Sequence, residues 1–110
     1  MSWNEAEIEA ARDTVLKTAQ DMLAGNLTYI EGARKIVVAR WAARLNERDA
    51  DILAFIGIDS ETEALPVGPI RKYWQRSALD ALQPEIDRSE AWARGFGERH
   101  CRNLIHRLSK

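Results

Sequence analysis

Residues 56–69 read Ile56-Gly57-Ile58-Asp59-Ser60-Glu61-Thr62-Glu63-Ala64-Leu65-Pro66-Val67-Gly68-Pro69, and this stretch decides the fold predicted for the chain. It holds two of the three prolines and two of the six glycines, whereas the residues on either side follow a helical pattern. Because proline and glycine disfavour a continuous helix, we expect an ordered loop here. Four apolar side chains would anchor it: Ile58, Leu65, Val67 and Ile70.

Two amphipathic helices are predicted before this loop. Apolar residues recur every three or four positions over residues 8–22, and Gly25 follows as a C-terminal cap. A second apolar face runs over residues 30–45 and includes Trp41, with Thr28 as the capping residue of its first turn. The pattern therefore places Trp41 in the core.

Two further helices are predicted around and after the loop. Asp49 is a capping residue for a short helix over residues 49–56, which we expect Gly57 to end. After a turn near residues 78–82, Pro84 suits the first position of a last helix that runs to Leu108. The expected fold is all-α: a small bundle of about four helices, with a long ordered loop between the third and the later helices.

The amino-acid composition limits the classes of protein to which the chain can belong. The 110 residues are 45% hydrophobic and 30% charged, which is typical of one globular helical domain spanning residues 1–110. No apolar run approaches the roughly 18 residues that span a bilayer, so no membrane association is expected. Cys101 is the only cysteine, which excludes an internal disulfide and favours a cytoplasmic location. A net charge of −1 argues neither for nucleic acid nor for an acidic decoy. Nucleic acid is not expected as a partner, because Arg99, Arg102 and Arg107 do not form one stripe on the last helix.

The loop carries alternating acids, Asp59, Glu61 and Glu63. In an extended chain they would point to one side, where a hard divalent cation could bind their oxygens. The spacing lacks the glycine and terminal glutamate of an EF-hand, and capping of a helix start explains the same residues. Arg40 and Arg44 are like charges four residues apart, and the loop acids could pair with them. Such salt bridges would tie the loop to the second helix.

Aromatic and basic residues supply the other binding candidates. Arg71 and Trp74 close the loop region, and Trp74 and Trp92 are each interpreted either as an edge of the core or as an interface anchor. His100 and Cys101 diverge around a helix and have no partner for nucleophilic catalysis, so core packing is expected for them. No catalytic residue, cofactor or metal site is predicted, because no established motif is present.

Three fragments together resemble a group of small uncharacterised bacterial proteins that carry a loop of this type. The fragments are Ile30-Glu31-Gly32-Ala33-Arg34, then Phe55 to Gly68 with Trp74, and Cys101-Arg102-Asn103-Leu104-Ile105. The resemblance implies a small helical protein of the bacterial cytosol. It implies no activity, cofactor or partner.

These observations lead to three functional hypotheses. The first is a non-enzymatic interaction module that binds another protein, as an adaptor, a regulator or an immunity-type inhibitor. The second is a small-molecule or divalent-metal site at residues 59–63, with Arg34, Arg40 or Arg44 opposite in a polar pocket. The third is self-association of the bundle. The predicted binding residues are Asp59, Glu61, Glu63, Arg40, Arg44, Arg71 and Trp74.

Overall fold

The computed structural model describes residues 2–109, and their side chains from Asn4 onward. Within these residues all regular secondary structure is helical and no strand is present, which confirms the expected all-α class. The elements are α1 (Ser2–Ala24), α2 (Tyr29–Ala39), α3 (Ala50–Thr62), a 3₁₀ helix (Gly68–Tyr73) and α4 (Arg76–Leu108).

Local hydrogen bonds explain where the first three helices begin and end. At the end of α1, Gly25 has a φ of +83° and its N–H bonds to the Met22 carbonyl, a glycine cap as predicted. The Thr28 hydroxyl accepts from the N–H of Glu31 and so caps α2. Asp49 caps α3 in the same way, by accepting from two N–H groups of the first turn.

The core lies where α1, α2, α3 and α4 meet. α1 packs on α2 and α4, while α3 packs on α2 and α4 from the other side. At about 1.5 Å per residue, the 33 residues of α4 extend along the 51 Å long axis of the molecule. The largest fully buried side chains of the core are Tyr29, Phe55, Met22, Ile30, Ile36, Ile52, Ile58 and Leu104.

Two glycines allow neighbouring elements to approach closely. A Cβ on Gly32 would lie 2.1 Å from the Met22 sulfur, so the Met22 side chain of α1 fills the space that a side chain at position 32 of α2 would take. A Cβ on Gly97 would lie 3.1 Å from Ile58 Cδ1 and 3.2 Å from a ring carbon of Tyr29. Gly95 has open space instead, so of these two α4 glycines Gly97 is the one at a close contact.

Three predicted helix boundaries were wrong. α2 ends at Ala39, although its predicted apolar face continues to residue 45, because the chain turns after Arg40 and Arg44 takes a left-handed conformation. Gly57 does not end α3, which continues to Thr62, because burial of Ile58 and Thr62 offsets the roughly 1 kcal/mol that a helical glycine costs. α4 begins at Arg76 rather than at Pro84, which lies inside the helix and removes only one backbone hydrogen bond.

Trp41 was also predicted wrongly. Its side chain is 67% exposed, whereas the prediction placed it in the core. The buried stripe of α2 passes through Ile30, Ala33 and Ile36 and reaches Ala43 in the following turn. Trp41 therefore lies at the outer edge of this stripe.

Candidate functional site

The connection between α3 and α4, residues 63–75 and here termed the clasp, is fixed to α2 by Arg34. The Nη2 of Arg34 donates to the carbonyl oxygens of Thr62 at 2.6 Å and Leu65 at 3.0 Å. The last carbonyls of an α-helix have no partner within the helix, and this guanidinium satisfies two such groups around the end of α3. Arg34 therefore links α2, α3 and the clasp.

Arg34 also forms an ion pair with Asp59, its Nε lying 3.8 Å from the carboxylate. Burial nevertheless raises the pKa of Asp59 above its ordinary value, because the attraction of Arg34 does not offset the loss of solvation and Glu63 adds repulsion. The expected salt bridge between α2 and the acids exists, but it is made by Arg34. Its electrostatic contribution is weaker than the hydrogen bonds of Arg34 to the backbone.

Buried apolar residues hold the middle of the clasp against the bundle. Leu65, Pro66 and Val67 are all buried, which confirms two of the predicted anchors. Gly68 has a φ of +70°, and a Cβ there would lie 3.0 Å from Glu31 Oε2, so both the backbone conformation and the space favour glycine. Ile70 was predicted as an anchor but is 51% exposed.

Beyond Gly68 the clasp presents basic and aromatic side chains to solvent. We define the basic aromatic surface as residues Ile70, Arg71, Lys72, Tyr73, Trp74 and Arg76. Tyr73 is 78% exposed and Trp74 40% exposed, and the Lys72 ammonium lies 5.1 Å from the centre of the Tyr73 ring. A pocket of about 360 Å³ opens between Trp74, Arg71 and the start of α4. Arg71 and Trp74, both predicted binding residues, thus lie together.

A second pocket, of about 200 Å³, lies between α2, the clasp and α4. Glu90 of α4 lines it and accepts from the N–H groups of Tyr29 at 2.8 Å and Ile30 at 3.1 Å, so it satisfies the start of α2. Arg71 lines the opposite side. A polar pocket between the second helix and the loop was expected, but its acids are not Asp59, Glu61 and Glu63.

The three alternating acids do not form one group. Asp59 and Glu61 lie on the last turn of α3, where residues two apart point in nearly opposite directions. Glu61 lines an open pocket beside Trp92, and Glu63 follows the helix as an exposed side chain. Among the residues that the structure describes, no group of three His, Cys, Asp or Glu side chains could hold a metal ion.

Arg40 and Arg44 lie away from the clasp, at the end of α2, so the prediction that they pair with the loop acids was wrong. The Arg40 guanidinium stacks 4.1 Å from the centre of the Trp41 ring. Arg44 has a φ of +58°, and it closes the last turn through the N–H of Leu45, which donates to the carbonyl of Arg40. These two arginines line a separate open pocket of about 290 Å³.

A polar cluster around Asp51, which no sequence pattern predicted, joins α3 to α4. The Asp51 carboxylate accepts from His100 Nδ1 at 2.8 Å, Asn103 Nδ2 at 3.0 Å and Arg107 Nη1 at 2.7 Å, and Arg107 also bonds to Asp49. Positions 100, 103 and 107 share one helix face, which is the signal that could have revealed the cluster. The partners lie about 50 residues away, so only the fold pairs them.

The hydrogen bonds of this cluster keep the pKa of Asp51 low. Burial alone would raise the pKa of Asp51, but the hydrogen bonds from Asn103, His100 and Arg107 hold it below its ordinary value. A carboxylate orients His100, and the adjacent Cys101 is fully buried. Burial raises the pKa of the Cys101 thiol to about 11, so it stays protonated at neutral pH.

Comparisons of the chain with protein-family models, with curated proteins and with solved structures found no match. Within residues 2–109, none of the helices is both long and apolar enough to cross a bilayer. Functional conclusions therefore rest on the geometry and chemistry of the surfaces described above.

Proposed function

We propose that this protein is a non-enzymatic, cytoplasmic interaction module, and that its basic aromatic surface binds an acidic segment of another protein. The observation that carries the proposal is the exposure of Ile70, Tyr73 and Trp74 on a segment whose backbone is fixed. Aromatic residues and arginine are enriched in the central contacts of protein interfaces. An adaptor, a regulator and an inhibitor each require such a surface.

The rigidity of the clasp supports binding. Leu65, Pro66 and Val67 are buried immediately before the surface, and Arg34 fixes the carbonyl of Leu65. A segment that is already ordered loses less conformational entropy when a partner docks, and this increases the affinity available from a small contact area. A flexible loop of the same composition would bind less tightly.

Charge selects the class of partner. The pocket beside Trp74 is lined by Arg71, Lys72 and Arg76 against one acid, Asp80, so this surface is locally basic although the whole chain has a net charge of −1. A local cluster of cations attracts a segment of opposite charge and disfavours a basic one. An acidic segment with one aromatic or aliphatic residue would place its carboxylates on the cations and its apolar side chain beside Trp74.

Fluorescence anisotropy with a labelled glutamate-rich peptide containing one phenylalanine tests this proposal. We expect saturable binding that Lys72→Glu and Trp74→Ala each weaken at least about tenfold. Val38→Ser, which changes an exposed apolar residue of α2, is the matched control and should leave the affinity unchanged. Equal binding by all four proteins would contradict the proposal, and so would tighter binding of a labelled single-stranded oligonucleotide.

Self-association is a second candidate function, favoured by one observation on α4. Trp92 and Phe96 stack with ring centres 5.5 Å apart, and both are exposed. Two copies could bury this aromatic pair against each other. Size-exclusion chromatography with light scattering would then show a dimer that Trp92→Ser dissociates, whereas a monomer at high concentration would contradict this role.

A further inference from the structure

We propose that the end of α2 forms a second, independent site that binds a small oxyanion, a phosphate or a carboxylate group, through Arg40 and Arg44. This site lies apart from the basic aromatic surface and does not depend on the function proposed for that surface. The two arginines were predicted as binding residues, and the acids expected beside them are elsewhere.

Unpaired hydrogen-bond donors are the first evidence. The Nε and Nη1 atoms of Arg40 are buried and have no hydrogen-bond partner among the described residues. An arginine cannot relieve this situation by losing its proton, since the guanidinium group stays charged in proteins. Buried donors without acceptors are rare and costly, and such a group calls for a missing acceptor.

The adjacent pocket has the size and the lining for such an acceptor. Its volume of about 290 Å³ is at the low end of the range for ligand sites, which suits a small anion. Its lining contains two cations and no acid: Arg40, Trp41, Arg44, Leu45 and Asn46. The Asn46 Oδ1 already accepts from the N–H of Arg48, so its amide nitrogen is the donor end of this side chain.

The negative end of α2 does not oppose an anion here. The carbonyl oxygens of Arg40 and Trp41 accept from the N–H groups of Leu45 and Arg44, and the Ala43 carbonyl accepts from Arg12 Nε at 2.9 Å. With these acceptors occupied, the potential at the pocket is set by the arginines. Arg12 adds a third cation to the same turn.

Trp41 and the backbone of Arg44 hold the site in place. The indole of Trp41 covers one face of the Arg40 guanidinium, and Nε and Nη1 are themselves covered, so an anion in the pocket has to displace this cover to reach them. Arg44 adopts a left-handed conformation that favours glycine, and such strain in a non-glycine residue is found preferentially at functional positions.

The test is an NMR titration of the arginine Nε–Hε resonances of the intact protein at constant ionic strength. Inorganic phosphate and acetate are the two probes, they distinguish the two sources of oxyanion, and chloride is the reference. We expect a saturable shift of the Arg40 resonance with at least one of them. The same anion should bind at least about tenfold more weakly to Arg40→Lys, which keeps the charge but loses Nε, with the Arg44 Nε–Hε resonance as the reporter in both proteins.

Arg71→Lys is the matched control, since it makes the same change on the basic aromatic surface and should leave the titration unchanged. The proposal is overturned if neither anion gives a saturable shift, if chloride gives the same one, or if Arg40→Lys binds as tightly as the wild type. Should Arg40→Lys not fold, the wild-type comparison of phosphate and acetate with chloride decides. A negative result leaves the peptide-binding proposal untouched.

Discussion

Arg34 donates to two backbone carbonyls at once, and this single side chain therefore connects α2, the end of α3 and the clasp. Arg40 lies six residues further along the chain and has buried donors without a partner. Both residues are arginines, so residue type alone does not explain why Arg34 is paired and Arg40 is not. What differs is whether backbone acceptors lie within reach of the guanidinium, and this depends on where the neighbouring helix ends.

Replacing Arg34 and Asp59 separately tests which contact of Arg34 stabilises the fold. We expect Arg34→Ala to lower the free energy of unfolding by about 2 kcal/mol, because two carbonyls lose a charged donor. Asp59→Asn should leave stability unchanged or raise it slightly at pH 7. A carboxyl whose pKa is raised by folding favours the folded state below its unfolded pKa, and this contribution is lost as the pH rises through its folded pKa.

Urea unfolding at pH 7 measures both effects. If Asp59→Asn were as destabilising as Arg34→Ala, the salt bridge rather than the backbone hydrogen bonds would be the stabilising contact. An exposed acid of α1, changed as Asp13→Asn, is the control for loss of one negative charge.

Asp51 has the opposite pH dependence. Hydrogen bonds lower its pKa in the folded protein, so its contribution is present above the unfolded value of about 3.9 and is lost as the pH falls through the folded value. We expect Asp51→Asn to cost about 2 kcal/mol at pH 7 and progressively less as the pH falls below the unfolded value. Denaturation at a series of pH values checks this, and a difference from the wild type that stays constant with pH would contradict it.

The helices themselves were predictable where the signal is local. Thr28, Asp49 and Gly25 are caps whose role depends on neighbours within four residues, and all three lie where the sequence placed them. Gly57 and Pro84 were misread because tertiary packing outweighs their local cost. The Asp51 cluster was missed, and the contacts of Arg34 were only partly anticipated. In both cases the bonded partners are 28 or more residues away in sequence.

A glycine series compares local propensity with packing between helices. Gly57→Ala and Gly95→Ala add a methyl group in open space, so each should stabilise the protein by up to about 1 kcal/mol through helix propensity. Gly32→Ala should destabilise it by about 1–3 kcal/mol, because the new Cβ meets the buried Met22 side chain. Thermal or urea unfolding ranks the three variants, and a stabilising Gly32→Ala would show that α1 and α2 are not in close contact.

In the molecule as a whole, the contacts that hold the helices together differ from the regions proposed to bind partners. The core and the Asp51 cluster hold the four helices together, whereas three exposed regions are not needed for that purpose. They are the basic aromatic surface, the Arg40 pocket and the stacked pair Trp92–Phe96. Of the predicted binding residues, Arg71 and Trp74 share the first region and Arg40 and Arg44 the second, while the acids lie apart.

The basic aromatic surface is proposed to be the place where an acidic segment of another protein docks. Amide chemical-shift mapping by NMR, with the glutamate-rich peptide added to the labelled protein, tests it most directly. We expect the largest shifts within Ile70–Arg76 and at the Trp74 indole, larger than any shift that the carboxylates of the peptide produce at residues 40–46. Shifts centred on Trp92 and Phe96 or on residues 40–46, or none at saturating peptide, would contradict the claim.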